Sequence, residues 1–239
     1  MKRESTNAIR YVLEELLPPV VRDSAPMRWL FRLHWGRLVD ELEDFRASAH
    51  RISDAEYAAV YAALPRVHEG TDNSAACVRE IIAATLPGEV LDVGCGTGYL
   101  LNALHAALGQ DGRNYTGLDF QIDQETRERL PSITFVESVV EKMPFADNAF
   151  DTVICTHVLE HILDIRAAVA ELRRVCRLRL IVVVPKEREH RFTFNPHLHF
   201  FPYRHSFLKH MLPVPGDAKC EQVGRDFFYV EDIAAKTPV

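Results

Sequence analysis

Apolar positions along this chain keep two different rhythms. Ile9, Val12, Leu13, Leu16 and Leu17 recur at the intervals of one helical face until Pro18-Pro19 stops the run. Met27 to Trp35 is again apolar and rich in aromatics, and Ser53 with Glu56 three residues later has the capping-box spacing ahead of a helix over Tyr57 to Leu64. Residues 1–70 are therefore expected to form a helical N-terminal cap. Its Trp29, Phe31 and Trp35 are expected to pack against the main domain, a lid over substrate being the sharper alternative.

From Thr71 the rhythm changes to short apolar strands alternating with helices. After a helix over Ala75 to Leu86, strands are expected near Val90–Val93, Tyr115–Leu118, Thr134–Val136, Thr152–Cys155 and Leu180–Val184. Helices are expected near 99–108, 122–130 and 165–177, with another around Ser206 to Met211. A closing hairpin pairs Lys219–Val223 with Phe227–Val230 across Gly224-Arg225-Asp226. The pattern predicts an α/β domain over 71–239: a doubly wound, mostly parallel seven-stranded sheet with a helical N-terminal extension.

Composition narrows the function classes. Hydrophobic residues make up 47% and charged residues 26%, a globular balance, and the formal net charge of −6 gives no general drive toward nucleic acid or an anionic membrane. No run reaches transmembrane length, and the first residues lack the block of a signal peptide, so no membrane association is expected. Cys77, Cys95, Cys155, Cys176 and Cys220 are scattered, odd in number and without C-x-x-C pairs, which speaks against disulfides and thiolate zinc sites and makes the cytoplasm the default.

The candidate chemistry begins where the first strand runs into Asp92-x-Gly94-x-Gly96-x-Gly98 and then a helix. Glycines there let the backbone approach a ligand and adopt angles closed to other residues. Asp119 ends the next strand, at the distance where a carboxylate can accept hydrogen bonds from both ribose hydroxyls. These two features suit NAD as well as S-adenosylmethionine.

The later segments separate the two. DVGCGTG at 92–98, GLDF at 117–120 and EKMPFADNAFDTVICTHVLEHI at 141–162, followed by ELRRV at 171–175 and the strand LIVVVPK, resemble the motifs of the class I S-adenosylmethionine-dependent methyltransferases. The likeness covers roughly Thr71 to Met211 and the hairpin. It implies that Asp92, Gly94, Gly96 and Gly98 surround the methionine portion of the cofactor, that Asp119 binds ribose and that Phe120 packs on adenine. By the same resemblance Val139 lies where many relatives carry an Asp or Ser beside the adenine amino group, and Val140 where a backbone amide meets the ring. Adenine would then be selected by backbone and shape. Cys176-Arg177-Leu178-Arg179 replaces the family's Pro-Gly-Gly turn, expected to alter only a surface loop.

Thr156, His157, Glu160 and His161 leave the fourth strand beside the expected methyl position. If helical, His157 and His161 share one face with Glu160 next to it, and His197 or His199 from the loop after the fifth strand could complete a metal set. His157-x-x-Glu160-His161 with His199 resembles the magnesium or manganese arrangement of the small-RNA 2′-O-methyltransferases, with His in place of Glu at 157, a swap that favours a softer ion. Without a metal, His157 or His161 is the expected general base. Lys186, Arg188, His190 and Arg191 offer either a basic edge or a solvated loop. The expected activity is methyl transfer to oxygen, with nitrogen and carbon as the alternatives, on a small-molecule acceptor, metal-assisted or not. Two other classes stay in view: a noncatalytic binding protein on this fold, and a metallohydrolase reading of H-x-x-E-H, which needs a long helix where a strand is expected.

Overall fold

The computed structural model describes residues 12–51, 56–57, 70–110, 112–192 and 195–233. Ile9, the Ser53 cap and most of the helix expected over Tyr57 to Leu64 lie outside the described residues. The chain divides into two compact units, one of residues 1–69 with 187–202 and the other of 70–186 with 203–239. The segment 187–202, read from sequence as part of the 71–239 domain, thus belongs to the N-terminal unit.

In the first unit a π-helical turn, Val12–Leu16, precedes α1 (Pro19–Arg22), α2 (Ala25–Trp35) and α3 (Leu38–Ser48). Ser24 caps α2, its hydroxyl accepting from the Met27 amide. The core gathers Leu13, Phe31, Val39 and Phe192, with Leu17, Met27 and Trp35 packed around them. Met27, Phe31 and Trp35 recur at four-residue spacing and share the inner face of α2. Trp29 falls on the other side of the helix and is 64% exposed, so its expected packing role is not met.

The second unit opens with α4 (Ala75–Ala84), capped by Ser74, whose hydroxyl accepts from the Cys77 amide at 3.1 Å. Then follow β1 (Gly88–Val93), α5 (Tyr99–Leu108), β2 (Arg113–Asp119), α6 (Gln124–Arg129), β3 (Thr134–Glu137), a 3-10 turn at Val140–Lys142, β4 (Phe150–Thr156), α7 (Ile165–Val175), β5 (Cys176–Pro185), α8 (Arg204–Leu208), β6 (Lys219–Val223) and β7 (Asp226–Asp232). The strands form one seven-stranded sheet in the order β3-β2-β1-β4-β5-β7-β6. The first five run parallel, while β7 pairs antiparallel with both β5 and β6. This is the expected doubly wound architecture. The order reverses between β1 and β4, which opens a crevice at the carboxyl ends of those strands.

Burial explains why the elements form where they do. Every residue of β4, FDTVICT, is buried, as a strand between two parallel neighbours requires. In α7 the buried residues Ile165, Ala168, Val169, Leu172 and Val175 lie on one face, and the Asp164 carboxylate caps the first turn by accepting from the Ala167 amide at 3.1 Å. One expectation is corrected here. Cys176–Arg179 is no surface loop: α7 passes directly into β5, and Arg177 and Arg179 pair with Asp151 and Asp232. No turn glycine is needed because the strand begins at the residue after the helix.

Candidate functional site

Three backbone turns build the crevice. Gly94, Gly96 and Gly98 carry φ values of 75°, 52° and 69°, left-handed angles that explain why none bears a side chain. They also do different work. A Cβ on Gly94 would stand 2.1 Å from a Val158 methyl and one on Gly98 2.6 Å from Leu130, whereas Gly96 has nothing within 4 Å. Gly94 and Gly98 are therefore small because the protein packs on itself, and Gly96 alone faces open space, which narrows the expectation that all three admit a ligand.

Asp119 ties the turns together. Its Oδ2 accepts from the Gly96 amide and its Oδ1 from the Phe120 amide, both at 2.8 Å. The Gly94 and Cys95 amides donate to the Leu118 carbonyl, and the Ser138 amide donates to the Asp119 carbonyl. The two bonds from Gly96 and Phe120 aim the carboxylate at the end of β2. Phe120 and Val139 are 40% and 49% exposed, while Val140 is buried at the start of the 3-10 turn. Phe120 and Val139 thus present two apolar surfaces on the loops after β2 and β3.

Asp92 is the unusual group. It is 2% exposed, and its Oδ1 is buried without a hydrogen-bond partner. Burial, assisted by the negative charge of Asp119, pushes its pKa up to about 8. A buried carboxylate in this condition favours a proton or a cation.

The segment after β4 departs from the expected helix. Residues 157–162 form a turn, and His157 has φ 55°, a strained angle for a residue with a side chain. Its amide donates to the Val183 carbonyl, which fixes the turn to the end of β5. His157 and His161 therefore share no helical face, and the long helix required by the H-x-x-E-H metallohydrolase motif is absent from these described residues. His157 Nδ1 lies 3.5 Å from Glu160 Oε1, and its Nε2 lies 4.0 Å from Asp226 Oδ1. Burial opposes its charge, but the hydrogen bond and charge of Glu160, with the charges of Asp226 and Asp72, prevail and raise its pKa. His161 is half-buried, and a ligand atom of its ring lies within 4.8 Å of one on Glu160. Thr156 is buried and its hydroxyl accepts from the Asn73 amide group at 2.9 Å.

Sequence reasoning missed Asn73 and Asp226. Asp226 looked like a hairpin turn residue, yet it begins β7 and its Oδ2 accepts from the Cys77 thiol at 3.4 Å. His197 and His199 belong to the first unit, where His197 Nδ1 meets Glu187 Oε2 at 2.7 Å with both side chains buried. The basic edge also takes another form. His190 is buried against the Phe192 carbonyl, Arg191 pairs with Glu43, and Lys186 donates to Gln222.

Residues 91–182 match the family model described as a methyltransferase domain. The chain is 30% identical over 134 residues to a demethylmenaquinone methyltransferase of Staphylococcus aureus, covering 54% of this chain and 53% of that one. It is 35% identical over 100 residues to a 2-phytyl-1,4-naphtoquinone methyltransferase of Trichormus variabilis, covering 38% and 43%. It spans about half the length of these curated relatives. Among solved structures, the PH0226 protein of Pyrococcus horikoshii is similar with a TM-score of 0.55 at 18% identity, covering 73% of this chain and 98% of that one, a likeness of fold.

Proposed function

We propose that this chain, a member of the class I S-adenosylmethionine-dependent methyltransferase family, methylates a small aromatic acceptor of the naphthoquinol class that carries a long apolar side chain. The observation that carries the reading is the turn after β1, where a buried Asp92 oxygen without a partner stands beside an open Gly96 and the aimed carboxylate of Asp119. Such a set answers a ligand with a cationic end and a ribose. Asp92 and the turn at Gly94, Gly96 and Gly98 would hold the methionine portion, Asp119 the ribose, and Phe120, Val139 and the Val140 amide the base, with Thr156 at the inner border. S-adenosylmethionine, when bound there, supplies a methyl group already activated by a sulfonium.

The remaining chemistry is positioning and proton removal. His161 takes the proton of the acceptor hydroxyl. His157, flanked by Glu160 and Asp226, keeps its own proton and acts as a cationic donor instead of the base. Asn73 holds Thr156 in place. Oxygen was the expected destination of the methyl group. The relatives named for naphthoquinones favour ring carbon, because a 1,4-naphthoquinol becomes nucleophilic at carbon once its hydroxyl is ionised, and after methylation the hydrogen of that ring carbon moves to the oxygen to restore the quinol.

Metal assistance is a second reading, favoured by the proximity of Glu160 and His161 ligand atoms. Under it, chelation lowers turnover and manganese restores it. The primary test is titration calorimetry with S-adenosylmethionine, followed by labelled methyl transfer to 2-phytyl-1,4-naphthoquinol with the methyl position read by mass spectrometry. His161→Ala is expected to abolish turnover with cofactor affinity nearly intact; unchanged turnover removes His161 from the mechanism. The absence of both heat and thermal shift on adding the cofactor would favour the noncatalytic binding protein.

A further inference from the structure

The first residues of the sheet-bearing unit are tied to the crevice at two points. Thr97, in the glycine turn after β1, donates its hydroxyl to the Gly70 carbonyl at 3.3 Å. Further along, the Asn73 side-chain amide donates to the Thr156 hydroxyl at 2.9 Å, a buried bond at the last residue of β4, and to the Thr71 hydroxyl at 3.2 Å. The Asn73 backbone amide donates to the same Thr71 hydroxyl at 3.1 Å, which bends the segment into a tight turn. Packing holds the Gly70 end as well. A Cβ there would stand 3.0 Å from the Tyr99 ring, at a φ of 96°, so the first residue of α5 rests directly on the glycine backbone.

The two anchors belong to the two strands whose ends bound the crevice. Val93 of β1 pairs with Cys155 of β4, so the glycine turn and Thr156 stand at the same, carboxyl end of parallel neighbours. Neighbouring strands lie about 4.8 Å apart, and residues 70–73 can span about 10 Å, enough to cross from one to the other. The segment has no core of its own. Gly70 and Asp72 are exposed, Thr71 is half-buried, and only Asn73 is buried. Beyond it the chain is fixed, since Ser74 caps α4. A short exposed segment held at its ends by a few hydrogen bonds opens at low cost in free energy.

We propose that residues 70–73 form a strap across the methionine end of the crevice, latched by Asn73 to Thr156, which opens to admit and release the cofactor. The inference rests on the cofactor site proposed above, which puts the methionine portion at the turn that carries Thr97. Asn73 is then a positioning residue. It touches no reacting atom, and its bond to Thr156 sets how long the strap stays shut. A latch of this kind has a kinetic signature: weakening it speeds both entry and exit, whereas the loss of an ordinary ligand contact speeds exit alone.

The test follows S-adenosylhomocysteine, the demethylated cofactor, on and off the immobilised full chain by surface plasmon resonance. Asn73→Ala is expected to raise the association and dissociation rates together, each about fivefold, with Kd changed less than about twofold. Thr97→Val removes only the hydroxyl at the other anchor and is expected to move both rates the same way, by about twofold. In hydrogen exchange of the unaltered chain, the Thr71, Asp72 and Asn73 amides are expected to slow when the ligand binds. A rise in dissociation alone makes the segment a fixed wall and overturns the proposal, as do unchanged rates in both variants or exchange that the ligand leaves unaltered. If Asn73→Ala fails to fold, Thr97→Val and the exchange measurement decide. Tight binding with unmoved rates overturns the strap alone, whereas a chain that binds no S-adenosylhomocysteine overturns the cofactor reading and the strap with it.

Discussion

At the residue scale Asp92 sets a conflict between stability and binding. Its folded pKa of about 8 lies above the ordinary value of 3.8, so the stability it contributes is complete below about pH 4 and is lost as pH rises through about 8. The unliganded protein is therefore expected to lose thermal stability over that window, and Asp92→Asn to flatten the slope and raise Tm at pH 8 by about 2–4 °C. The same variant is expected to weaken S-adenosylmethionine binding by about tenfold, measured by calorimetry. Gly94→Ala isolates packing from ligand approach. Its Cβ would meet Val158 at 2.1 Å at a φ of 75°, so a loss of about 1–3 kcal/mol is expected in denaturant melts, partly recovered by Val158→Ala in the same chain. The motif made all three glycines visible in the sequence. Which of them answers a ligand and which answers a neighbouring side chain depended on Val158 and Leu130, distant in the chain.

At the element scale, local signals worked where a segment carries its own cap and period. Asp164, the face of α7 and the run β4 are examples. Asp164→Ala is expected to cost about 1 kcal/mol, and Leu172→Ala, fully buried, about 2–5 kcal/mol, both read from urea melts. The same signals failed at the segment after β4. H-x-x-E-H has helical spacing, but the His157 amide is claimed by the Val183 carbonyl and its backbone turns left-handed, so a tertiary hydrogen bond overrides periodicity. They failed again after α7, where Cys176–Arg179 joins β5 because its arginines find Asp151 and Asp232.

At the scale of the whole molecule, cofactor binding to the sheet-bearing unit should appear as linkage. At S-adenosylmethionine concentrations of 100 times Kd, the expected stabilisation is about 2.7 kcal/mol, seen as a rise in Tm that Asp92→Asn diminishes. The alternation of strands and helices, the glycine turn and Asp119 determined the sheet and the candidate cofactor crevice from sequence alone, because each is a local pattern of burial or backbone angle. Tertiary structure decided the rest: residues 187–202 join the N-terminal unit, Asp226 and Asn73 come to the turn after β4, and Trp29 faces outward while Phe31 and Trp35 face inward. Those outcomes depend on contacts between residues far apart in the chain, and no local period records them.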